Sequence, residues 1–248
     1  MIRVGTYNTG DFSGNGVPAG SEEAKVCFRE VLTADNVALW GLQEDVGFFN
    51  AQTQESPYEA VYSDYQNYRR CGTKKYNYKA FLTNLPISEA EKIDYVGECK
   101  FHHPWFLHAN VNIEGKNVCV ITLHFDWQDR DTRTMEIRQV IEFASRQEYA
   151  MILGDFNPTN FVNGELQSNN LTYEEDLDLF REAGFSVANA DKFGTFTTMV
   201  GRAPCYPCDN IVVSSNIKIC NVGRIFRDWM NDHTALWADV ELDESEKP

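Results

Sequence analysis

No stretch of this 248-residue chain approaches the roughly 18 consecutive apolar residues that a membrane-spanning helix needs. The opening residues, MIRVGTYNTG, lack the charged and then apolar segments of a cleavable leader and have the pattern of a strand. A cytoplasmic protein is therefore expected. No internal repeat, low-complexity tract or linker-like shift in composition interrupts the sequence, which is expected to form one domain over residues 1–248. Cysteine is too sparse for a disulfide framework: the chain has seven, an odd number. Cys205 and Cys208 in PCYPCDN have the spacing of a zinc half-site or a redox pair, but no second pair is spaced that way. Cys99, His102 and His103 would have to complete such a site; the other reading is ordinary reduced thiols.

Positive charge is also short. Lys and Arg number 22 against 37 Asp and Glu, for a formal charge of −15. Proteins that grip duplex nucleic acid usually offer a basic face, because neutralising phosphates releases counterions. The average surface here repels polyanions instead. RRCGTKKYNYK, residues 69–79, runs the other way, with Arg69, Arg70, Lys74, Lys75 and Lys79 around Tyr76 and Tyr78. It suits either a solvated loop or a rim that faces phosphate.

What is present is a globular composition, 43% hydrophobic and 24% charged, enough for a sizeable core. Strand-like and helix-like segments alternate. IRVGTYN has the period of a half-buried strand, and EEAKVCFREVL places Ala24, Cys27, Phe28, Val31 and Leu32 at helical spacing. Strands are expected at NVALWGLQE, KAFLT, WFLHANVNI, KNVCVITLHF, YAMILGD, GTFTT, DNIVVSS and ALWADVEL. EGKN has the chemistry of a hairpin loop. DTRTMEIRQVIEFASRQ is expected to be a helix capped by Asp131, and TYEEDLDLFREAG one with Thr172 and Glu175 as a capping box and Gly184 as its stop. Hairpins mixed with strand–helix–strand units imply mixed sheets, and the apolar runs imply two sheets packed together with helices outside: an α/β (α+β) sandwich.

Polar residues gather where these strands end. VGTYN ends at Asn8, LWGLQE at Glu44, VITLH at His124 and MILGDFN at Asp155 and Asn157. Asp209 opens the DNIVVSS strand, and Asp232 and His233 stand just before the last one. Any one of them is ordinary turn chemistry. Together, on one sheet edge, the carboxylates would repel one another and call for a cation. Their oxygen atoms suit a hard ion such as Mg²⁺ or Mn²⁺, with amides and imidazoles left to hold an anionic substrate.

In order, TYN, LQE, TLH, GDFN, DNI and NDH resemble the motifs of the endonuclease/exonuclease/phosphatase superfamily. The likeness runs from residue 4 to 242, and GDFN and the terminal Asp-His are its most specific parts. It implies a deoxyribonuclease I-like, four-layered sandwich and Mg²⁺- or Mn²⁺-dependent hydrolysis of phosphoesters. It further implies Glu44 as principal metal ligand, with Asn8 beside it touching metal or phosphate and Asp232 approaching the metal. Asp155 and Asn157 would position the attacking water and the scissile phosphate. His124 would donate to a phosphoryl oxygen, and His233, oriented by Asp209, would act as acid/base or transition-state stabiliser. Tyr76 corresponds to a phosphate-contacting position.

The chain departs from the family at several places. Gly10 stands where some nucleases carry a second acid, PCDNI replaces an Arg-Ile-Asp-Tyr run, and TNLPI, residues 83–87, replaces a Ser-Arg-Tyr-Pro-type stretch. These leave the substrate open among nucleic acid, a small phosphorylated metabolite and a lipid or inositol headgroup. Exposed aromatics for a lipid surface are limited to Phe226 and Trp229 in RIFRDWMND. A monomer is expected. The competing reading is a non-catalytic phosphate- or nucleic-acid-binding module that kept the fold.

Overall fold

Alternating burial along the strands puts one face of each against a second sheet and the other against helices. The structure, a computed structural model, describes residues 1–10, 21–45, 58–72, 78–97, 104–159, 161–162, 165–166, 173–190, 193–200, 205–226 and 231–243. In chain order the first elements are β1 (Ile2–Asn8), α1 (Glu22–Thr33), β2 (Leu39–Gln43), α2 (Glu59–Tyr62), β3 (Asn67–Cys71) and β4 (Lys79–Thr83). Then come β5 (Glu91–Asp94), β6 (Trp105–Ile113), β7 (Lys116–His124), α3 (Arg130–Ala144) and β8 (Ala150–Asp155). The short β9 (Phe161–Val162) and β10 (Glu165–Leu166) form a ribbon of their own. Last are α4 (Tyr173–Glu182), β11 (Ser186–Val187), β12 (Asp209–Val213), β13 (Ile217–Ile225) and β14 (Ala235–Leu242).

One six-stranded sheet has the order β13-β14-β1-β2-β4-β3, the other β11-β12-β8-β7-β6-β5. Both are mixed: β1–β2 and β7–β8 are parallel, and the other pairs are antiparallel. Val4, Leu39 and Phe81 from the first sheet meet Leu107, Val120 and Leu153 from the second in the core between them. Phe28, Val31 and Leu32 of α1 cover Trp40 and Leu42 on one outer face. On the other, Ile137 and Val140 of α3 and Leu177 and Phe180 of α4 cover Ile121 and Ile152. The result is helix, sheet, sheet, helix, the four-layered sandwich expected.

Most elements form where the patterns place them, and each exception has a local cause. Helix α3 is capped by Asp129, whose Oδ1 accepts from Thr132 N at 2.8 Å, two residues before the expected Asp131. Asp126 bends the preceding chain by accepting from the backbone N–H of Gln128 and of Asp129, which sets the cap there. Gly184, at φ +87, ends α4 as expected; Thr172 lies outside the described residues. GTFTT is not a strand. Instead, Thr198 Oγ1 accepts from the backbone N–H of both Cys208 and Asp209 at 2.9 Å, tying this segment to the start of β12. Strand β13 escapes a period-2 reading because a register shift between Ile219 and Asn221 breaks the alternation of its apolar residues. Edge strands β3 and β5 contain no fully buried residue and carry little periodic signal. The EGKN turn holds Glu114 and Gly115 at φ 54 and 84, the left-handed pair that a two-residue hairpin turn needs.

The two inner faces are apolar except near one end, where a polar seam joins them. Gln43 Nε2 donates across the gap to Thr122 Oγ1 at 2.8 Å, and its Oε1 accepts from Thr6 Oγ1 at 3.2 Å. Beside this seam Gly41 faces Leu153, and a Cβ there would come within 2.8 Å of the Leu153 Cβ. Gly154 is constrained on the opposite face, where a Cβ would meet the Leu123 carbonyl oxygen at 2.7 Å. That contact is backbone and cannot swing aside. Gly154→Ala should therefore push β7 and β8 apart and cost about 1–3 kcal/mol of stability. Urea unfolding measures this, and an unchanged midpoint would contradict the packing described.

Candidate active site

Strand pairing brings the polar strand ends to one edge. Asn8 ends β1 opposite Gln43, and Glu44 follows immediately. In the facing sheet His124 ends β7 opposite Asp155, which ends β8 opposite Asp209 at the start of antiparallel β12. β14 runs antiparallel to β1, so Asp232 and His233, just before it, arrive at the same end. Two residues there hold a left-handed backbone that side chains seldom adopt, Glu44 at φ 47 and Asn157 at φ 42. Contacts on either side support Glu44: Thr9 Oγ1 donates to its carbonyl at 3.1 Å, and the buried Asp45 accepts hydrogen bonds from Tyr62 and Tyr68.

Asp155 is the hub. Its Oδ2 accepts from Asn8 Nδ2 at 2.9 Å and lies 3.4 Å from His124 Nε2 and 3.6 Å from His233 Nε2. Its Oδ1 accepts from Asn157 N at 3.0 Å and from the Cys208 thiol at 2.9 Å. Asn8 Nδ2 also reaches Glu44 Oε1 at 3.4 Å, and His124 Nδ1 lies 3.8 Å from that atom. His233 Nδ1 is 2.8 Å from Asp209 Oδ2, while Asp209 Oδ1 is buried without a hydrogen-bond partner. Among these side chains Glu44 is the most open, at 20% exposure against 5% or less for His124, Asp155, Asp209 and His233.

Crowded acid defines the electrostatics. Burial raises the Glu44 carboxyl to about 7, with repulsion from Asp155 and Asp232 adding to it and His233 opposing. Burial likewise raises Asp155 to about 6, against the pull of His233. Burial opposes a charged His233 imidazole, but the Asp209 and Asp155 carboxylates outweigh it and hold the value up at about 10. At neutral pH His233 is therefore an imidazolium clamped between two carboxylates.

Solved structures share this architecture. An endonuclease/exonuclease/phosphatase from Beutenbergia cavernae superposes with a TM-score of 0.75 at 14% identity, covering 98% of this chain and 72% of the other. TDP2 of D. rerio, solved with a single-strand DNA product, gives 0.70 at 15%, covering 97% and 98%. The 3' phosphatase NExo from Neisseria, bound to a product DNA hairpin, gives 0.68 at 14%, covering 97% and 100%. The chain has the endonuclease/exonuclease/phosphatase fold. No protein-family profile and no curated protein matches the sequence, so the likeness lies in the fold.

Within that fold, Asn8, Glu44, His124, Asp155, Asn157, Asp209 and His233 converge. Asp232 lies close enough to add its charge to Glu44 and His233. Tyr76, Lys74 and Lys75, and likewise Cys99, His102 and His103, lie outside the described residues. Lys79 is not on a solvated loop or a rim. It opens β4, fully buried, with Nζ 3.9 Å from the Trp105 ring centre, and burial lowers it to about 7. Gly10 leaves no room for the second acid found in some nucleases: at φ 47, a Cβ would come within 2.8 Å of Asn231 Oδ1.

Three contributors were not legible as site residues. Gln43 closes the LWGL run and Thr122 lies inside VITL; Asn231, whose Nδ2 donates to the Asn8 carbonyl at 2.6 Å, stands one residue before Asp232. Cys208 stood out in the sequence only through its spacing from Cys205. The structure separates their surroundings: Cys205 is exposed, and Cys208 is buried against Asp155.

Asp209→Asn should remove the main support of the charged imidazole, so that His233 titrates at clearly lower pH; the imidazole resonances report this directly. The folded-state value exceeds the unfolded one of about 6.5. The stability from this pair is thus complete below about pH 6.5 and lost as pH rises through about 10, a loss the variant should not show. Identical titration in both proteins would contradict the assignment.

Proposed function

We propose that this chain, acting as one domain, is a divalent-metal-dependent phosphoester hydrolase with its active site at the shared sheet edge. The observation that carries the reading is the convergence of Glu44, Asn8 and His124 on Asp155, with a His233–Asp209 pair alongside.

The donor set fits a hard cation. Glu44 and Asp155 share one amide donor, and burial and repulsion hold the Glu44 carboxyl up at about 7, a mark of charge left uncompensated. Glu44, with Asp232, is assigned to hold Mg²⁺ or Mn²⁺. When bound, such an ion neutralises phosphoryl charge and acidifies water. Asn8 has its oxygen on Gly10 N at 3.0 Å and its Nδ2 between the two carboxylates, which suits a donor to phosphate or a spacer better than a metal ligand.

Asp155 Oδ2 is assigned to orient the attacking water. The charged His233 is assigned to stabilise the developing negative charge or to protonate the leaving oxygen, held in its tautomer by Asp209. His124 donates to a phosphoryl oxygen. Asn157, whose Nδ2 donates to the Phe125 carbonyl at 3.0 Å, is assigned to brace the turn that carries Asp155. Two neighbours of this fold hold DNA products, which supports a nucleic-acid phosphoester. The net charge of −15 favours a short contact at a strand end over a long duplex grip.

The test is hydrolysis of bis-p-nitrophenyl phosphate, single-stranded oligonucleotides, supercoiled plasmid, inositol phosphates and sphingomyelin, with Mg²⁺ and with chelator. Chelator should abolish turnover, and Asp155→Asn should lose it. His124→Gln and His233→Gln should each lower kcat about a hundredfold or more. His124→Gln should leave the thermal unfolding midpoint nearly unchanged, whereas His233→Gln, which strips buried Asp209 of its ion-pair partner, should also lower it. Equal rates for the wild type and Asp155→Asn would favour a binding module instead. Glu44→Gln should raise the Mg²⁺ concentration needed for half-maximal rate; an unaltered requirement would remove Glu44 as a ligand.

A further inference from the structure

We propose that Asp155, Cys208 and His233 form a site for a soft divalent cation, Zn²⁺ or Cd²⁺, distinct in its ligands from the hard-ion site at Glu44. One ligand atom from each of the three residues lies within 4.8 Å of the other two. Asp155 presents Oδ1 to the Cys208 sulfur at 2.9 Å and Oδ2 to His233 Nε2 at 3.6 Å. In a tetrahedral site with bonds of about 2.0–2.3 Å, ligand atoms stand about 3.3–3.8 Å apart, so a gap of up to 4.8 Å must close by about 1.0–1.5 Å and the 2.9 Å Asp155–Cys208 contact must open by about 0.5 Å.

Three features make the set specific. Sulfur is the discriminating ligand, since Mg²⁺ and Mn²⁺ avoid thiolates that Zn²⁺ and Cd²⁺ prefer. His233 is already oriented as a ligand, because its Nδ1 is held by Asp209 and its Nε2 is turned toward Asp155. This is the carboxylate–histidine–metal arrangement that fixes tautomer and direction. With three protein ligands, a fourth position remains for water or a phosphate oxygen. The Cys205–Cys208 spacing is not what makes the site, because Cys205 is exposed and outside the cluster.

Binding exchanges protons for metal. The ion takes the place of the thiol proton that Cys208 now shares with Asp155, and of the proton on His233 Nε2; both leave to solvent, and nothing is oxidised or reduced. One consequence rests on the function proposed above: an ion held there occupies Asp155 and His233 together, so Zn²⁺ inhibits a reaction that Mg²⁺ supports.

The experiment titrates chelator-stripped, full-length protein with Cd²⁺ alone and follows the thiolate-to-metal charge-transfer absorption. A Cys205→Ser background removes the thiol that is exposed among the described residues. One equivalent should produce the band in that background. Adding Cys208→Ser should weaken Cd²⁺ binding at least tenfold, and adding Asp209→Asn about 10–100-fold. Should Cys208→Ser fail to fold, as judged by thermal unfolding, His233→Gln leaves the thiol in place and should weaken binding by a similar factor. No band in the background protein, or an undiminished one in the folded variants, overturns the proposal. A second arm adds Zn²⁺ to the Mg²⁺-supported hydrolysis. If Mg²⁺ supports no hydrolysis at all, the proposed function fails while the Cd²⁺ titration still decides the site; a Mg²⁺-dependent rate that saturating Zn²⁺ leaves unchanged overturns the inhibition.

Discussion

Everything at the sheet edge depends on how far one sheet stands from the other, and Gln43 sets that distance. Its amide bridges the gap to Thr122, receives Thr6 from its own sheet, and lies one residue before Glu44. A buried amide without partners would cost on the order of 1–3 kcal/mol, so the sheets are held where the bond can form. Gly41, pressed against Leu153, allows that close approach. With the seam in place, Asn8 of one sheet hydrogen-bonds to Asp155 of the other, and Glu44 stands 3.8 Å from His124.

The same closeness concentrates charge. Carboxylates of Glu44, Asp155, Asp209 and Asp232 gather with two imidazoles in a space largely closed to solvent. His233 answers the acids on one side through its ion pair with Asp209, and burial makes that pairing strong only because the geometry is good. Glu44 has no comparable partner, and burial, with repulsion from Asp155 and Asp232 added, raises its pKa. The left-handed backbone at Glu44 and Asn157 adds conformational cost at the same place. Charge imbalance and backbone strain therefore coincide at this edge, whereas the left-handed Asp35, Asn36 and Glu114 stand elsewhere in the fold. Such coincidence supports the active site proposed there.

Some of this was legible beforehand because the relevant patterns are local. KAFLT, WFLHANVNI and ALWADVEL form strands with the bounds their runs suggest, since buried runs and turn residues mark them without reference to partners. The β13 strand was not, because its bulge shifts the alternation of its apolar residues. GTFTT has strand-like composition, yet its threonine is drawn to the start of β12 by two backbone N–H donors, a contact made across ten residues or more. Among site residues, Asp155 and His233 were visible as polar groups that packing does not require. Cys208 was visible only through its spacing from Cys205, Gln43 only as the end of the LWGL run, and Thr122 was hidden inside an apolar run.

By itself, the sequence determined which groups stand at strand ends, because alternation and turn chemistry act over a few residues, and it determined the order in which they come along the chain. It also settled the excess of acid, a property of composition. The tertiary structure alone decided that those ends share one edge, since that follows from parallel β1–β2 and β7–β8 pairing and from the distance between sheets. It alone decided that the Cys208 thiol points at Asp155, that Lys79 is buried over Trp105, and that the His233 imidazole lies between the Asp209 and Asp155 carboxyl groups. Each of these arises from neighbours far away in the chain, whose fields and contacts no local pattern encodes.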